Sequence, residues 1–159
     1  MNFKTADLCD EYYNEVQVVL PGLQNFGRRT RFHGAVVTVR ALGDFSQVRK
    51  QVHSAGAGRV LVVDNQASMQ AAMLGDLLAA AALENGWQGI VINGCIRDSA
   101  DIATMDLGVK ALGCIPARGK RDDHGEVNVK LDFLGAEFRP GDFLYSDEDG
   151  ILLSPRALI

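Results

Sequence analysis

Two apolar runs, RVLVVDN (Arg59–Asn65) and GIVING (Gly89–Gly94), constrain this chain more than any other feature of it. Neither alternates polar and apolar positions, so each reads as a strand covered on both faces, as in a parallel sheet. Between them lies Leu77–Asn85, rich in Ala and Leu and closed by Gly86, which reads as a helix. A strand, a helix and a strand in so short a unit imply a right-handed βαβ crossover.

The pattern extends in both directions. Upstream, Thr5–Glu15 reads as an opening helix with Thr5 as its N-cap, and Val16–Leu20 as a short strand ended by Pro21-Gly22. Phe32–Ala41 is a longer strand, rich in Val. A helix over Phe45–Ser54 comes next, capped by Asp44 and ended by Gly56 and Gly58. Downstream, Ser99–Asp106 reads as another helix. Past residue 108 the apolar runs shorten and are divided by Gly, Pro and acidic turns such as SDEDG (Ser146–Gly150), which predicts mixed or antiparallel strands. The expectation is one α/β domain over residues 1–159, parallel βαβ units first and a β-rich half after. A chain of 159 residues buries roughly 68–70% of its unfolded surface, enough for a core without staples.

Charge and cysteine usage narrow the class. Twenty acids against 16 bases give a net charge of −4, which argues against a nucleic-acid surface. The basic runs Arg28–Arg31 and Arg118–Arg121 read as solvated loops, the second offset by Asp122 and Asp123. Cys9, Cys95 and Cys114 are odd in number and far apart, so they read as free thiols. The first residues hold no apolar signal core and no run approaches a membrane span, so the expected compartment is the cytoplasm.

Ligands of open α/β sheets bind beyond the carboxyl ends of the parallel strands. Two charged turns fall there: Gly75-Asp76 before the Ala-rich helix, and Arg97-Asp98 after the GIVING strand, with twenty residues between Asp76 and Arg97. If Ala71–Leu74 neighbours that strand, the turns converge. The helix start at Gly75–Leu78 would offer free N–H groups to an anion, Arg97 a fork for a carboxylate, and Asp76 and Asp98 oxygens for a hard cation. Locally, Asp76 also reads as a plain N-cap, and Arg97-Asp98 as a surface ion pair or a cap. His33 reads as a structural side chain and Cys95 as a small buried thiol. The glycines of GAGRVLVVD precede their strand, which excludes a dinucleotide fingerprint.

Five segments, TADLCDEY, NFGRRTRFHGAVVTV, GRVLVVDNQASMQAAMLGDLLAAAALENGWQGIVINGCIRD, DLGVKALGCIPARG and FRPGDFLYSDEDGILLS, closely resemble the regulator of ribonuclease activity A family. That family includes the class II 4-hydroxy-4-methyl-2-oxoglutarate aldolases, and their Asp–twenty residues–Arg-Asp signature is matched by Asp76, Arg97 and Asp98. The resemblance implies a swivelling β/β/α-type fold, a homotrimer, and a lyase dependent on Mg²⁺ or Mn²⁺. Such a lyase cleaves 4-hydroxy-4-methyl-2-oxoglutarate to two pyruvates and decarboxylates oxaloacetate through the same pyruvate enolate.

Carried over by position, the resemblance makes Asp98 the metal ligand and Arg97 the group on the substrate carboxylate and keto oxygen. The amides of Gly75, Asp76, Leu77 and Leu78 would hold the pyruvyl carboxylate, and Asp76 would orient a metal-bound water. Longer aldolases of the family bring a further acidic residue from sequence beyond the length of this chain; Glu126 and Glu148 are the candidates to replace it. The short branch of the family implies an alternative, binding and inhibition of ribonuclease E.

Overall fold

The two apolar runs lie side by side as parallel strands in the computed structural model, which describes residues 2–159. In chain order the first elements are α1 (Thr5–Glu11), β1 (Gln17–Val19), β2 (Gln24–Asn25), β3 (Phe32–Arg40), α2 (Ser46–Val52) and β4 (Val60–Asp64). Next come α3 (Asp76–Glu84), β5 (Gly89–Ile96), α4 (Ser99–Ile102) and β6 (Gly108–Cys114). The β-rich remainder is β7 (Glu126–Val127), β8 (Leu131–Phe133), β9 (Ala136–Phe138), β10 (Phe143–Ser146) and β11 (Ile151–Ser154).

The main sheet runs β1-β11-β10-β3-β4-β5-β6-β2, with β7 added beside β3. Its centre, β3 to β6, is parallel, with Val60 opposite Gly89 and Val63 opposite Ile92. Every residue of β4 and β5 is buried, as their unbroken apolar sequence requires. Alternate side chains serve two cores. Leu61, Val63, Ile90 and Ile92 pack with Val48 and Val52 of α2 and Ala79 and Ala82 of α3. Val60, Val62 and Val91 pack on the opposite face with Phe133 and Phe138 of the β8–β9 hairpin and with Leu144 and Leu153. Helices therefore cover one face and strands the other, a mixed α/β domain with parallel and antiparallel strands.

Several boundaries differ from the sequence reading. Helix α1 ends at Glu11, and its N-cap position is Lys4. Thr5 instead gives both its N–H and its hydroxyl to the Asp147 carboxylate, at 2.7 and 2.6 Å, tying α1 to the turn after β10. Helix α4 stops at Ile102, where Thr104 turns its hydroxyl onto the Asp101 carbonyl instead of continuing the ladder. Phe45, not Asp44, holds the N-cap position of α2, although Asp44 accepts the Ser46 N–H at 2.8 Å.

His33 stacks on Tyr145 and meets Phe3 edge-on, a packing role. SDEDG is the turn from β10 to β11. All three cysteines are free; Cys95 is buried, and burial pushes its thiol pKa up. Among the described residues no helix is long and apolar enough to cross a membrane.

Candidate active site

The segment Ala71–Leu74 does neighbour β5. Ala72 bridges Cys95 in parallel, the Met73 N–H donates to the Cys95 carbonyl at 2.9 Å, and the Arg97 N–H donates to the Leu74 carbonyl at 2.9 Å. The two chains thus leave the sheet together, and the charged turns meet. Asp98 adopts a left-handed conformation (φ 56°, ψ 41°) at the N-cap of α4. That bend brings its Oδ2 to 3.0 Å from the Asp76 nitrogen at the start of α3, where it accepts the N–H. This bond first, then a side-chain contact with Asp76 and the charge of the Arg97 guanidinium, hold the Asp98 carboxyl below its ordinary pKa against the effect of burial. The group is anionic at neutral pH and exposed.

Gly75 makes the approach possible for a steric reason. A Cβ there would lie 2.8 Å from Asp98 Oδ2 and 3.4 Å from Arg97 Nε. Its own backbone is extended, with Gly75 at the N-cap position and Asp76 the first helical residue. Asp76 is therefore no N-cap; its Oδ1 accepts the Leu77 N–H at 2.8 Å. Two of the four amides expected for an anion are thus engaged within the chain. Those of Gly75 and Leu78 lie outside these two bonds.

The meeting point is the wall of a cleft of about 200 Å³. Gly75, Asp76, Leu77, Leu78, Arg97 and Asp98 all line it, with Phe45, Met73 and Leu74 supplying apolar wall. Three further arginines share the cleft: Arg49 from α2, and Arg118 and Arg121 from the segment after β6. The sequence reading placed the latter two in a solvated loop. Both are exposed and lie outside the named helices and strands, and backbone bonds lace their segment on both edges. On one side the Ala72 N–H meets the Ala117 carbonyl and the Gly119 N–H meets the Ala72 carbonyl. On the other, the Lys120 N–H meets the Gly43 carbonyl and the Phe45 N–H meets the Lys120 carbonyl.

Asp44 fastens the residues just past Arg121. Only 1% exposed, its carboxylate accepts N–H groups from Ser46 at 2.8 Å, Asp122 at 2.6 Å and His124 at 3.4 Å. Burial alone would raise its pKa; the Ser46, Asp122 and His124 donors overcome this and hold it down at about 2. The loop beyond Arg118 is thereby pinned to the start of α2. No signal in the linear sequence connects Asp44 with Asp122.

Neither candidate for the missing acidic residue reaches the cleft. Glu126 pairs with Arg40 at 3.0 Å in β7, and Glu148 pairs with Arg31 at 3.1 Å beside a different depression. Glu126 is held in β7 beside β3 and Glu148 in the turn from β10 to β11, which carries both side chains away.

Fold and cleft together define an α/β protein with a carboxylate- and guanidinium-lined cleft where a parallel strand meets a helix start. A sequence model of the RraA-like family (Aldolase/RraA) matches residues 5–153, and the chain belongs to that family. A relative from Alkalilimnicola ehrlichii, named "Putative 4-hydroxy-4-methyl-2-oxoglutarate aldolase", is 48% identical over 159 residues, covering 100% of this chain and 99% of its own. The structure of the RNA-processing inhibitor RraA from Thermus thermophilis superposes with a TM-score of 0.96 at 41% identity, covering 100% of this chain and 96% of that one. A Geobacillus kaustophilus structure described as an S-adenosylmethionine: 2-dimethylmenaquinone methyltransferase superposes equally well, with a TM-score of 0.96 at 41% identity over 98% and 97% of the two chains.

Proposed function

We propose that this chain is a divalent-metal-dependent aldolase that cleaves 4-hydroxy-4-methyl-2-oxoglutarate to two pyruvates and decarboxylates oxaloacetate as a side reaction. The observation that carries the reading is the convergence of Asp76, Arg97 and Asp98 on one cleft, through a bond of 3.0 Å across two turns. The aldolase name of a relative 48% identical over the whole chain supports it.

The donor set suits a hard cation bound in part by substrate. Among the described residues no group of three or more His, Cys, Asp or Glu side chains could hold a metal, so a closed protein cage is not on offer. Mg²⁺ asks for less: one or two carboxylates, with waters and substrate oxygens completing its shell. Asp98 fits, anionic and exposed, with Oδ2 on the Asp76 N–H and Oδ1 left for a cation. Mg²⁺ or Mn²⁺ held there would supply Lewis-acid stabilisation of negative charge on the substrate's C2 oxygen.

The chain's own groups do the rest. Arg97 binds the C1 carboxylate and C2 oxygen of the keto acid, aided by the Gly75 and Leu78 amides. Asp76, through an ordered water, takes the proton of the C4 hydroxyl. The C4 oxygen becomes a carbonyl, the C3–C4 bond breaks, and its electron pair moves into the C2–C3 enolate. Arg97 faces the oxygen where that charge develops, an oxyanion-type stabilisation. A proton returned to C3 completes the second pyruvate. Oxaloacetate loses CO₂ from the equivalent position and reaches the same enolate.

Pyruvate release from both substrates, with Mg²⁺ and with EDTA, tests the proposal on wild type and Asp98→Ala. Release that needs the metal and vanishes in the variant is expected; normal turnover by Asp98→Ala would sink the assignment.

A second reading, restraint of ribonuclease E by surface binding, is favoured by the name of the Thermus structure. Its observable is a complex with ribonuclease E that survives replacement of both Asp76 and Asp98. For either role we propose a homotrimer: Leu77, 80% exposed at the rim of the cleft, is an apolar side chain that a neighbouring subunit would cover.

A further inference from the structure

We infer that Arg118 and Arg121, together with Arg49, form a second anion subsite that takes the carboxylate at the far end of the substrate, so that the cleft selects 2-oxo dicarboxylates over 2-oxo monocarboxylates. The inference rests on the keto-acid reading of Arg97 and Asp98 and adds residues outside the aldolase signature.

Charge makes the first argument. Four guanidinium groups line the cleft (Arg49, Arg97, Arg118, Arg121) against two carboxylates (Asp76, Asp98), a surplus of two positive charges. Among the described residues none of the four arginines forms an ion pair; elsewhere Arg29, Arg31, Arg40, Arg139 and Arg156 do, and Arg28 and Arg59 do not. Guanidinium groups gathered in one concave site without carboxylates of their own repel one another, and a dianionic ligand removes that cost. A 2-oxo acid ending in a second carboxylate carries two negative charges.

Geometry makes the second. Arg97 and Asp98 occupy the wall built by β5 and the start of α3, while Arg118 and Arg121 stand on the laced segment and Arg49 on α2. One end of a short diacid engaged at Arg97 leaves its other end to the remaining arginines. These are not free loop side chains. The Arg118 guanidinium packs 5.6 Å from the centroid of the Phe45 ring, its segment is bonded on both edges, and Asp44 pins the residues directly after Arg121. Preorganisation of that kind lowers the ordering cost of binding.

The matched pair 2-oxoglutarate and 2-oxopentanoate isolates the effect. They share chain length and keto acid, and differ by a terminal carboxylate in place of a methyl; neither carries the 4-hydroxyl that cleavage needs. Calorimetric titration with Mg²⁺ present, on wild type and on the Arg118→Gln/Arg121→Gln double variant, reads the subsite directly. Wild type is expected to bind 2-oxoglutarate at least about tenfold more tightly, the scale of one charge-assisted hydrogen bond. The double variant is expected to lose that preference and keep its affinity for 2-oxopentanoate, which also reports an intact fold. A wild type without preference, or binding neither acid, overturns the inference; so does a variant that keeps the preference or loses both acids alike. Preference without any pyruvate release from 4-hydroxy-4-methyl-2-oxoglutarate would overturn the lyase and leave the subsite standing, whereas cleavage without preference would do the reverse.

Discussion

Asp98 Oδ2 sits 3.0 Å from the backbone nitrogen of Asp76, so a side chain at the end of one strand closes the first turn of the helix grown from its neighbour. Glycine at position 75 leaves room for that bond without a shift of the carboxylate. A methyl group at position 75 would stand 2.8 Å from the carboxylate oxygen. Gly75→Ala is expected to cost about 100-fold in kcat/KM for pyruvate release, because displacement of reacting groups by about 1 Å carries that penalty. The exposed site contributes little to the core, so the thermal midpoint should barely move. A variant with wild-type kinetics would mean that the Asp98–Asp76 bond is dispensable.

Asp98→Asn separates charge from backbone. Asparagine tolerates the left-handed conformation and can still accept the Asp76 N–H through its amide oxygen. Stability should therefore hold while metal-dependent turnover falls by about two orders of magnitude or more. Parallel thermal melts and Mg²⁺ titrations of activity decide it; a destabilised Asn variant would show that the charge is structural.

Asp44 makes the fold sensitive to acid. Its folded pKa, about 2, lies below the ordinary 3.8, so its contribution is fully present above pH 4 and is lost as pH falls toward 2. Asp44→Ala should lower stability at pH 7 by about 3 kcal/mol, a drop of roughly 6–12 °C in midpoint. The variant should also show a shallower loss between pH 4 and pH 2 than wild type, in urea melts at each pH.

Lys110 works in the opposite direction. It is 3% exposed in β6, and burial pushes its ammonium pKa down against the pull of Asp147, Glu148 and Asp149. The unfolded chain then binds more protons than the folded one between that lowered value and the ordinary 10.5, so this group makes stability rise with pH in that window. Lys110→Met should flatten the rise; an unchanged profile would mean that the ammonium keeps its solution pKa. The variant also strands the Asp147 carbonyl, which now accepts the Lys110 Nζ–H at 2.8 Å.

The parallel centre of the fold was legible because β4 and β5 carry their burial in every residue. The Asp76 and Arg97-Asp98 turns were legible for a related reason: each directly borders one of those strands or the helix between them. Arg118 and Arg121 were not. Their place depends on a segment that returns to lie between Ala72 and Gly43, contacts spanning more than 40 residues that no local periodicity encodes. Helix ends failed where a side chain found a distant partner, as Thr5 did in Asp147, because a cap inferred locally assumes that its bonds stay local.

The left-handed bend at Asp98 also acts as a filter on the residue alphabet. Apart from glycine, asparagine and aspartate favour that conformation most, although Leu42, Ala57, Gln66 and Ala67 also adopt positive φ here. Of glycine, asparagine and aspartate, one carries a negative charge. Any descendant of this sequence that keeps the bend and keeps an anion finds aspartate the less strained spelling, and glutamate, the obvious chemical synonym, carries the larger backbone cost.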